Sequence, residues 1–289
     1  METVDIAIIG CGPAGLSAAI NAKIRNKSVL VFGAEICSPK LQSAPWVDNY
    51  LGFDHVSGEE LRDKFIGHAR AMGIEINRTR VDNIYPNGDE GFMLAVKSEF
   101  YQAQAIVIAT GVSHATYLPG ERDFVGRGVS YCGTCDGPLY KGKTVTVIAY
   151  TEEGVEEANY LATVAGKVNF IPQFNYREHL NPAVEVVRTK PIGTLGEEKV
   201  SHLATKDGQI ATDGLFIFRD VTPAEQLLSG LNLRQGAIEV DRSMATNIPG
   251  VFAAGDVTGR PLQLAKAVGE GLVAGLSAAA FIERRPQTE

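Results

Sequence analysis

The chain has 289 residues, enough for one large or two ordinary domains, and its 45% hydrophobic and 21% charged content is ordinary for a globular enzyme. A net charge of −7 argues against nucleic acid or an acidic membrane surface as a partner. The cysteines number 4, too few and too unevenly spaced for a secreted disulfide scaffold, and no basic leader precedes the first apolar run, so the expectation is a reducing cytoplasm.

The chain opens as a βαβ unit. VDIAIIG (4–10) predicts a buried strand, CGPAGLSAAINAKIRN from Cys11 predicts a helix with Leu16, Ile20 and Ile24 on one face, and SVLVFG (28–33) predicts the next strand. Gly10, Gly12 and Gly15 stand in G-x-G-x-x-G spacing directly after the first strand. The first glycine allows a tight turn, the second lets the backbone approach a pyrophosphate, and the third lets helix and strand pack closely. The helix N-terminus adds N–H donors and a positive dipole end for the phosphates. Glycine turns alone are common, but this placement favours dinucleotide binding. The acidic residue that usually holds the ribose is displaced: the strand ends Phe32-Gly33, and Glu35, the nearest carboxylate, is assigned that role. Cys11 in the turn and Cys37 in a later loop read as buried or indifferent.

Further on, a helix is expected over Gly58–Met72 and strands over 91–98 and 99–111, with a turn at Pro86-Asn87-Gly88. The motif Cys132-Gly-Thr-Cys135-Asp136 follows. Zinc would need further ligands. There is no second CxxC or CxxH and the histidines are scattered, so no metal is expected and redox exchange is favoured. Asp136 is the candidate to supply or take the proton that thiol exchange requires; capping a turn is its alternative role.

A second βαβ unit runs through TVTVIA (144–149), a helix over 154–166 and KVNFIP (167–172). Strands are expected over 184–189, 214–218 and 251–256, then a helix from Leu262 to about Ile282. Lys266 and Glu270 make that last helix amphipathic rather than a membrane span. Two βαβ starts predict an α/β protein with two Rossmann-like nucleotide-binding domains, the second inserted in the first. The expected boundaries are 1–113 with 243–289 for the outer domain and 114–242 for the inserted one.

With these residues in view, the chain resembles the low-molecular-weight thioredoxin reductases, which are FAD flavoproteins. GCGPAGLSAA (10–19), VDNYLGF (47–53), ATG (109–111), YCGTCDG (131–137), VDRSMATNIPGVFAAGDV (240–257) and AVGEG (267–271) follow that family's order over nearly the whole length. The resemblance implies that Gly10, Gly12, Ala14, Gly15, Asn49, Thr110, Gly111, Asp256 and Gln263 touch FAD. Pro13, Leu41, Val81, Ala109, Gly255 and Leu264 complete the cofactor candidates. It further implies that Cys135 faces the flavin and Cys132 attacks the disulfide of thioredoxin, that the inserted domain carries this redox disulfide, and that the chain forms a homodimer with a hinge between domains.

The departures from the family concern the electron donor. Its second glycine motif, Gly-Gly-Gly-Asp-Ser/Thr-Ala, is replaced by Ala149, Tyr150 and Thr151, whose side chains obstruct close backbone approach. Glu152 and Glu153 complement the helix dipole themselves and repel a pyrophosphate. The His-Arg-Arg run that grips the NADPH 2′-phosphate is replaced by Gln173-Phe174-Asn175, with Arg177 beyond. Ser38-Pro39-Lys40-Leu41 stands for the family's Gly-Gly-Gln-Leu; Lys40 either adds positive charge near reduced flavin or is a solvated surface lysine. The expectation is a pyridine-nucleotide-independent enzyme, most similar to the ferredoxin-dependent flavin thioredoxin reductases. Ferredoxin is then the donor, docking on a basic patch from Arg62, Lys64, Arg70, Arg78 and Arg80. Alternative donors are NAD(P)H through altered contacts, a reduced deazaflavin or a second flavin. The alternative from a different class is a redox-sensing CxxC interaction protein, against which the full set of flavin blocks argues.

Overall fold

The computed structural model describes all residues except 35–36, 112–116, 178, 220–223 and 286–289, and the backbone alone at 224–225. It divides into two compact units, Met1–Ser113 with Thr222–Glu289, and His114–Val221. The first unit begins with β1 (Glu2–Ile9), α1 (Pro13–Ile24), β2 (Val29–Phe32), α2 (Pro39–Gln42), α3 (Gly58–Ala71), β3 (Glu75–Asn77), β4 (Asn83–Pro86), β5 (Phe92–Val96) and β6 (Glu99–Ile108). The second contains β7 (Val129–Ser130), α4 (Gly133–Asp136), β8 (Thr144–Ala149), α5 (Glu153–Leu161), β9 (Lys167–Pro172), β10 (Val184–Val186), β11 (Pro191–Gly196), β12 (Val200–Thr205), β13 (Gly208–Ala211) and β14 (Gly214–Phe218). The chain then returns to the first unit with α6 (Ala224–Leu227), β15 (Leu233–Arg234), β16 (Ala237–Ile238), β17 (Val251–Ala253) and α7 (Leu264–Glu283).

The first unit is built on a 7-stranded sheet in the order β3-β2-β1-β6-β5-β4, with β17 also on β6. β6 is long enough to pair antiparallel with β5 through its first half and parallel with β17 through Ile106–Ile108. β1 lies between β2 and β6, with Ile9 opposite both Phe32 and Ile108. This register brings the ends of β1, β2, β6 and β17 to one sheet edge, where an open parallel sheet binds its ligand.

One face of the sheet is covered by α1, α3 and α7. Of the expected Leu16-Ile20-Ile24 stripe, Leu16 is buried and Ile20 packs against the core, but Ile24 is 61% exposed, and Ala14, Ala18, Ala19 and Ala22 complete the buried face. The reason is close helix packing. A Cβ on Gly271 of α7 would fall 2.1 Å from the Ala14 carbonyl oxygen, and one on Gly275 2.4 Å from that of Ala18. α7 is long and apolar enough to cross a membrane by length and composition, but its small-residue face is committed to α1.

The other face of the sheet corrects the domain boundary. Leu227, Leu228, Leu231 and Ile238 are buried in one cluster with Ile9, Phe32, Ile106 and Val251. Residues 222–242 therefore belong to the first unit, not to the insertion expected to run to 242. Their short, irregular elements carry no period that identifies which core they fill.

The second unit has a 5-stranded parallel sheet, β10-β9-β8-β14-β7, and a separate 3-stranded antiparallel sheet, β11-β12-β13. The helix expected over 154–166 ends at Leu161. Its inner residues Val155, Ala158 and Leu161 pack with Val145, Val147 and Phe170.

Candidate functional site

In the first unit the three motif glycines do three different things. Gly10 has φ +122°, and a Cβ there would meet the Ala109 oxygen at 2.2 Å. A Cβ on Gly15 would fall 1.8 Å from the Gly10 oxygen, so this glycine admits the helix against its own turn. Around the Cβ position of Gly12 there is nothing within 4 Å. Gly12 is also the N-cap of α1, with no side-chain cap and Pro13 at the start of the helix. Uncapped N–H donors face an open cradle that any side chain at Gly12 would fill. This fits a dinucleotide pyrophosphate.

Several of the remaining cofactor candidates lie at the same strand ends. Ala109 donates to the Ile9 carbonyl at 2.8 Å, and Ala254 to that of Ile108 at 2.9 Å, leading into Thr110 and Gly111 on one strand and Gly255 and Asp256 on the other. Gly111 has φ +81° and open space around its Cβ position. Asn49 Nδ2 donates to Gln263 Oε1 at 3.1 Å. Leu41 is buried with Val47, Val56 and Leu61, against Leu264. Val81 is buried in the cluster below the sheet. Lys40 is an exposed lysine whose Nζ lies 2.8 Å from Asp256 Oδ2, so its charge is shared with a cofactor candidate. Glu35 lies outside the described residues.

Two residues that the sequence showed only as the polar face of the last helix hold the Asp256 turn. Lys266 Nζ donates to the carbonyls of Gly255 (2.7 Å) and Gly259 (2.8 Å) and to Thr258 Oγ1 (2.8 Å). Glu270 Oε2 accepts from the Gly255 N–H at 2.9 Å and pairs with Lys266 at 3.0 Å. Their i, i+4 spacing in the last helix was the available signal.

The two cysteines outside the CxxC motif are buried as expected, and the structure adds a link between them. Cys11 and Cys37 are joined in a disulfide with Cα atoms 5.1 Å apart. Adjacent parallel pairing of β1 and β2 brings the turn after one strand beside the connection after the other.

In the second unit Cys132 and Cys135 form the other disulfide. Cys132 is the N-cap of α4, and the Cys135 N–H donates to its Sγ at 3.1 Å. Ser130 Oγ fixes the Cys132 backbone from both sides, accepting from its N–H and donating to its carbonyl, each at 3.2 Å. The glycines of CGTCDG lie close against α5: a Cβ on Gly133 would fall 2.1 Å from Glu157 Oε2, the far end of a flexible side chain, and one on Gly137 3.0 Å from Leu161 Cδ2. Asp136 makes no side-chain cap to the turn that follows. Burial first, then the charges of Asp136 and Asp213, pushes the neighbouring Tyr140 phenol up.

The junction of β8 and α5 is filled. Ala149 is fully buried, and a Cβ on Gly154 would come within 2.4 Å of its own. Tyr150 packs with Tyr131 on the second unit's core, and the Arg219 guanidinium lies 5.5 Å from its ring centre. Arg219 makes two parallel 2.7 Å hydrogen bonds to Glu121, whose side chain is 0% exposed. Glu121 also accepts from Tyr131 Oη at 3.0 Å and from the Leu118 N–H at 2.8 Å. Burial opposes the Arg219 charge, but Glu121 outweighs it and the guanidinium is held more basic than usual. Burial, then the Glu121 charge, raises the Tyr131 phenol. Glu153 and Glu156 occupy the first turn of α5, and Glu152 Oε1 accepts the backbone N–H of Arg177 at 2.8 Å.

The expected basic patch is partly neutralised on its own helix. Arg62 pairs with Asp63 at 2.6 Å, and Lys64 with Glu60 at 3.3 Å.

The family model for pyridine nucleotide-disulphide oxidoreductases matches residues 4–271. The chain belongs to that family. It is 31% identical to the thioredoxin reductase of Bacillus subtilis, over 98% of this chain and 96% of that protein. Among solved structures it is similar to a ferredoxin-flavin thioredoxin reductase from Clostridium acetobutylicum, with TM-score 0.92, 49% identity, and coverage of 99% of this chain and 100% of that one. It is also similar to the atypical thioredoxin reductase of Desulfovibrio vulgaris Hildenborough, with TM-score 0.76, 32% identity, and coverage of 98% and 99%. The chain is an oxidoreductase of the thioredoxin reductase type.

Proposed function

We propose that this chain is an FAD-dependent thioredoxin reductase that draws its electrons from reduced ferredoxin rather than from NAD(P)H, and that it works as a homodimer. The observation that carries the reading is the contrast between its two strand-to-helix turns. The Gly10–Gly15 turn is open and uncapped. The Ala149–Thr151 turn is filled by Tyr150 over Arg219 and faces the acidic first turn of α5. The likeness to a ferredoxin-flavin thioredoxin reductase supports the same donor.

FAD, when bound, links one-electron delivery to two-electron disulfide reduction. The cradle residues described above would hold it, with Gly10, Gly12 and Gly15 at the pyrophosphate. Breaking the Cys132–Cys135 disulfide takes two electrons and two protons and leaves two thiols. Cys132, as thiolate, attacks one sulfur of the thioredoxin disulfide and forms a mixed disulfide. Cys135 attacks Cys132, restores the intramolecular disulfide and releases reduced thioredoxin. Asp136 is the group for the protons that enter and leave this pair.

The test is anaerobic mixing of the FAD-loaded protein with NADPH, with NADH and with reduced ferredoxin. Each lost charge-assisted phosphate contact forfeits about 1.5–3 kcal/mol. Losing two therefore weakens nucleotide binding by roughly 10²–10⁴-fold. Ferredoxin is expected to support thioredoxin reduction and the nucleotides are not. Rapid flavin reduction by NADPH would end the reading, and failure of every donor would point to a deazaflavin or another flavoprotein.

A further inference from the structure

The Cys11–Cys37 disulfide has no part in the chemistry just described, yet it sits inside the proposed cofactor cradle. Cys11 lies between Gly10 and Gly12. Cys37 lies in the connection between β2 and α2, 26 residues further on. Both are almost fully buried, at 4% and 2% exposure.

The space taken by Cys11 explains a departure in the sequence. In a dinucleotide fold the end of the second strand usually presents an acidic side chain to the ribose. Here that end is Gly33, and a Cβ on it would fall 2.2 Å from Cys11 Sγ. Gly33 is not among the glycines with positive φ. The glycine is therefore required by the sulfur and not by the backbone. The volume at the strand end that would carry a side chain holds half of a cross-link.

The cross-link also reaches the other side of the cradle. Ser38, next after Cys37, adopts a left-handed φ of +53°, and Pro39 then begins α2. One residue on, Lys40 Nζ pairs with Asp256 Oδ2 at 2.8 Å. The short segment 37–40 is thus tied covalently to the glycine turn at one end and by an ion pair to the Asp256 turn at the other.

We propose that the Cys11–Cys37 disulfide is a positioning device for FAD. It holds the glycine turn and the Lys40–Asp256 pair in their cofactor-binding arrangement. The proposal rests on reading the first unit as the FAD site. Opening the cross-link frees the 37–40 segment from the turn and weakens FAD binding by lost preorganisation. A dithiol reductant can open it: its two thiols give up two electrons and two protons, the Cys11–Cys37 bond breaks into two thiols, and the reductant leaves as a cyclic disulfide.

The experiment uses the full chain with Cys132→Ser and Cys135→Ser, so that only Cys11 and Cys37 remain. Alkylation after denaturation without reductant, read by mass, is expected to find no free thiol. FAD titration of this protein before and after dithiothreitol, and of Cys37→Ala in the same background, is expected to show affinity falling at least about tenfold on reduction or substitution. The Cys37→Ala protein is expected to be insensitive to dithiothreitol. Since buried sulfurs can resist the reagent, Cys37→Ala decides if reduction fails. Two alkylated thiols in the untreated protein, or equal FAD affinity in Cys37→Ala and its parent, would overturn the proposal. Flavin bound equally by every form defeats this proposal alone, whereas no flavin affinity in any form defeats the FAD reading with it.

Discussion

At the scale of single residues, identical residue types separate by what surrounds them. Gly12 and Gly15 belong to one motif, but only Gly12 has open space at its Cβ position. Gly12→Val is therefore expected to melt close to the parent apoprotein and to purify without the absorbance of bound flavin. Gly15→Ala places a methyl 1.8 Å from the Gly10 oxygen, and such overpacking costs about 1–3 kcal/mol; denaturant unfolding measures it. The two redox cysteines also differ. Cys132 carries the N-cap position and accepts the Cys135 N–H, which favours it as the attacking thiolate. Cys135→Ser is expected to trap a mixed disulfide between Cys132 and thioredoxin on a non-reducing gel, and Cys132→Ser is not. A trap formed by Cys132→Ser alone would reverse the roles. The glycine spacing and the CxxC were legible in the sequence because each imposes a local rule. The Cys11–Cys37 disulfide was not, because it depends on which strands are neighbours. Nor was the Lys40–Asp256 pair, which joins residues 216 apart in sequence.

At the scale of elements, the β8–α5 junction is filled from several directions. The sequence displayed the lost glycines at 149–151. It could not display that Tyr150 is backed by Arg219, or that Arg219 is held by Glu121, because those residues come from separate segments of the unit. A buried ion pair contributes little over an apolar pair, but removing one partner strands the other. Glu121→Gln and Arg219→Met are each expected to destabilise the protein by about 3–5 kcal/mol. The double variant is expected to recover a large part of that loss, since neither charge is then left unpaired. Chemical denaturation of the parent, both single variants and the double variant gives the coupling directly. Additive losses would show that the pair acts through separate contacts. The long helix α7 offers the complementary case. Its period and polarity were readable, but the face of α1 that it covers was set by glycines rather than by large apolar residues. A pattern of large apolar side chains therefore pointed to Ile24, which the structure leaves exposed.

At the scale of the whole molecule, two βαβ starts predicted two nucleotide-type units, while the point of return could only be found from packing. Leu227, Leu228, Leu231 and Ile238 complete the lower core of the first unit. Fully burying one such side chain stabilises by about 1.5–3 kcal/mol. Losing all of them removes roughly 6–12 kcal/mol, which is comparable to the entire net stability of an ordinary domain, about 5–15 kcal/mol. This makes the boundary testable by excision. Replacing residues 114–221 with a flexible Gly-Ser linker keeps the first unit's sheet, glycine cradle, Asp256 turn and lower core in one chain. That protein is expected to fold and retain flavin, and to have lost thioredoxin reduction with Cys132 and Cys135. Replacing residues 114–242 instead removes the apolar segment from beneath the sheet, and this protein is expected to unfold or to lose flavin. Circular dichroism melts and flavin absorbance of the two excised proteins decide between the boundaries. Equal stability and equal flavin content would mean that residues 222–242 contribute nothing to the flavin unit, and would restore the boundary near residue 242.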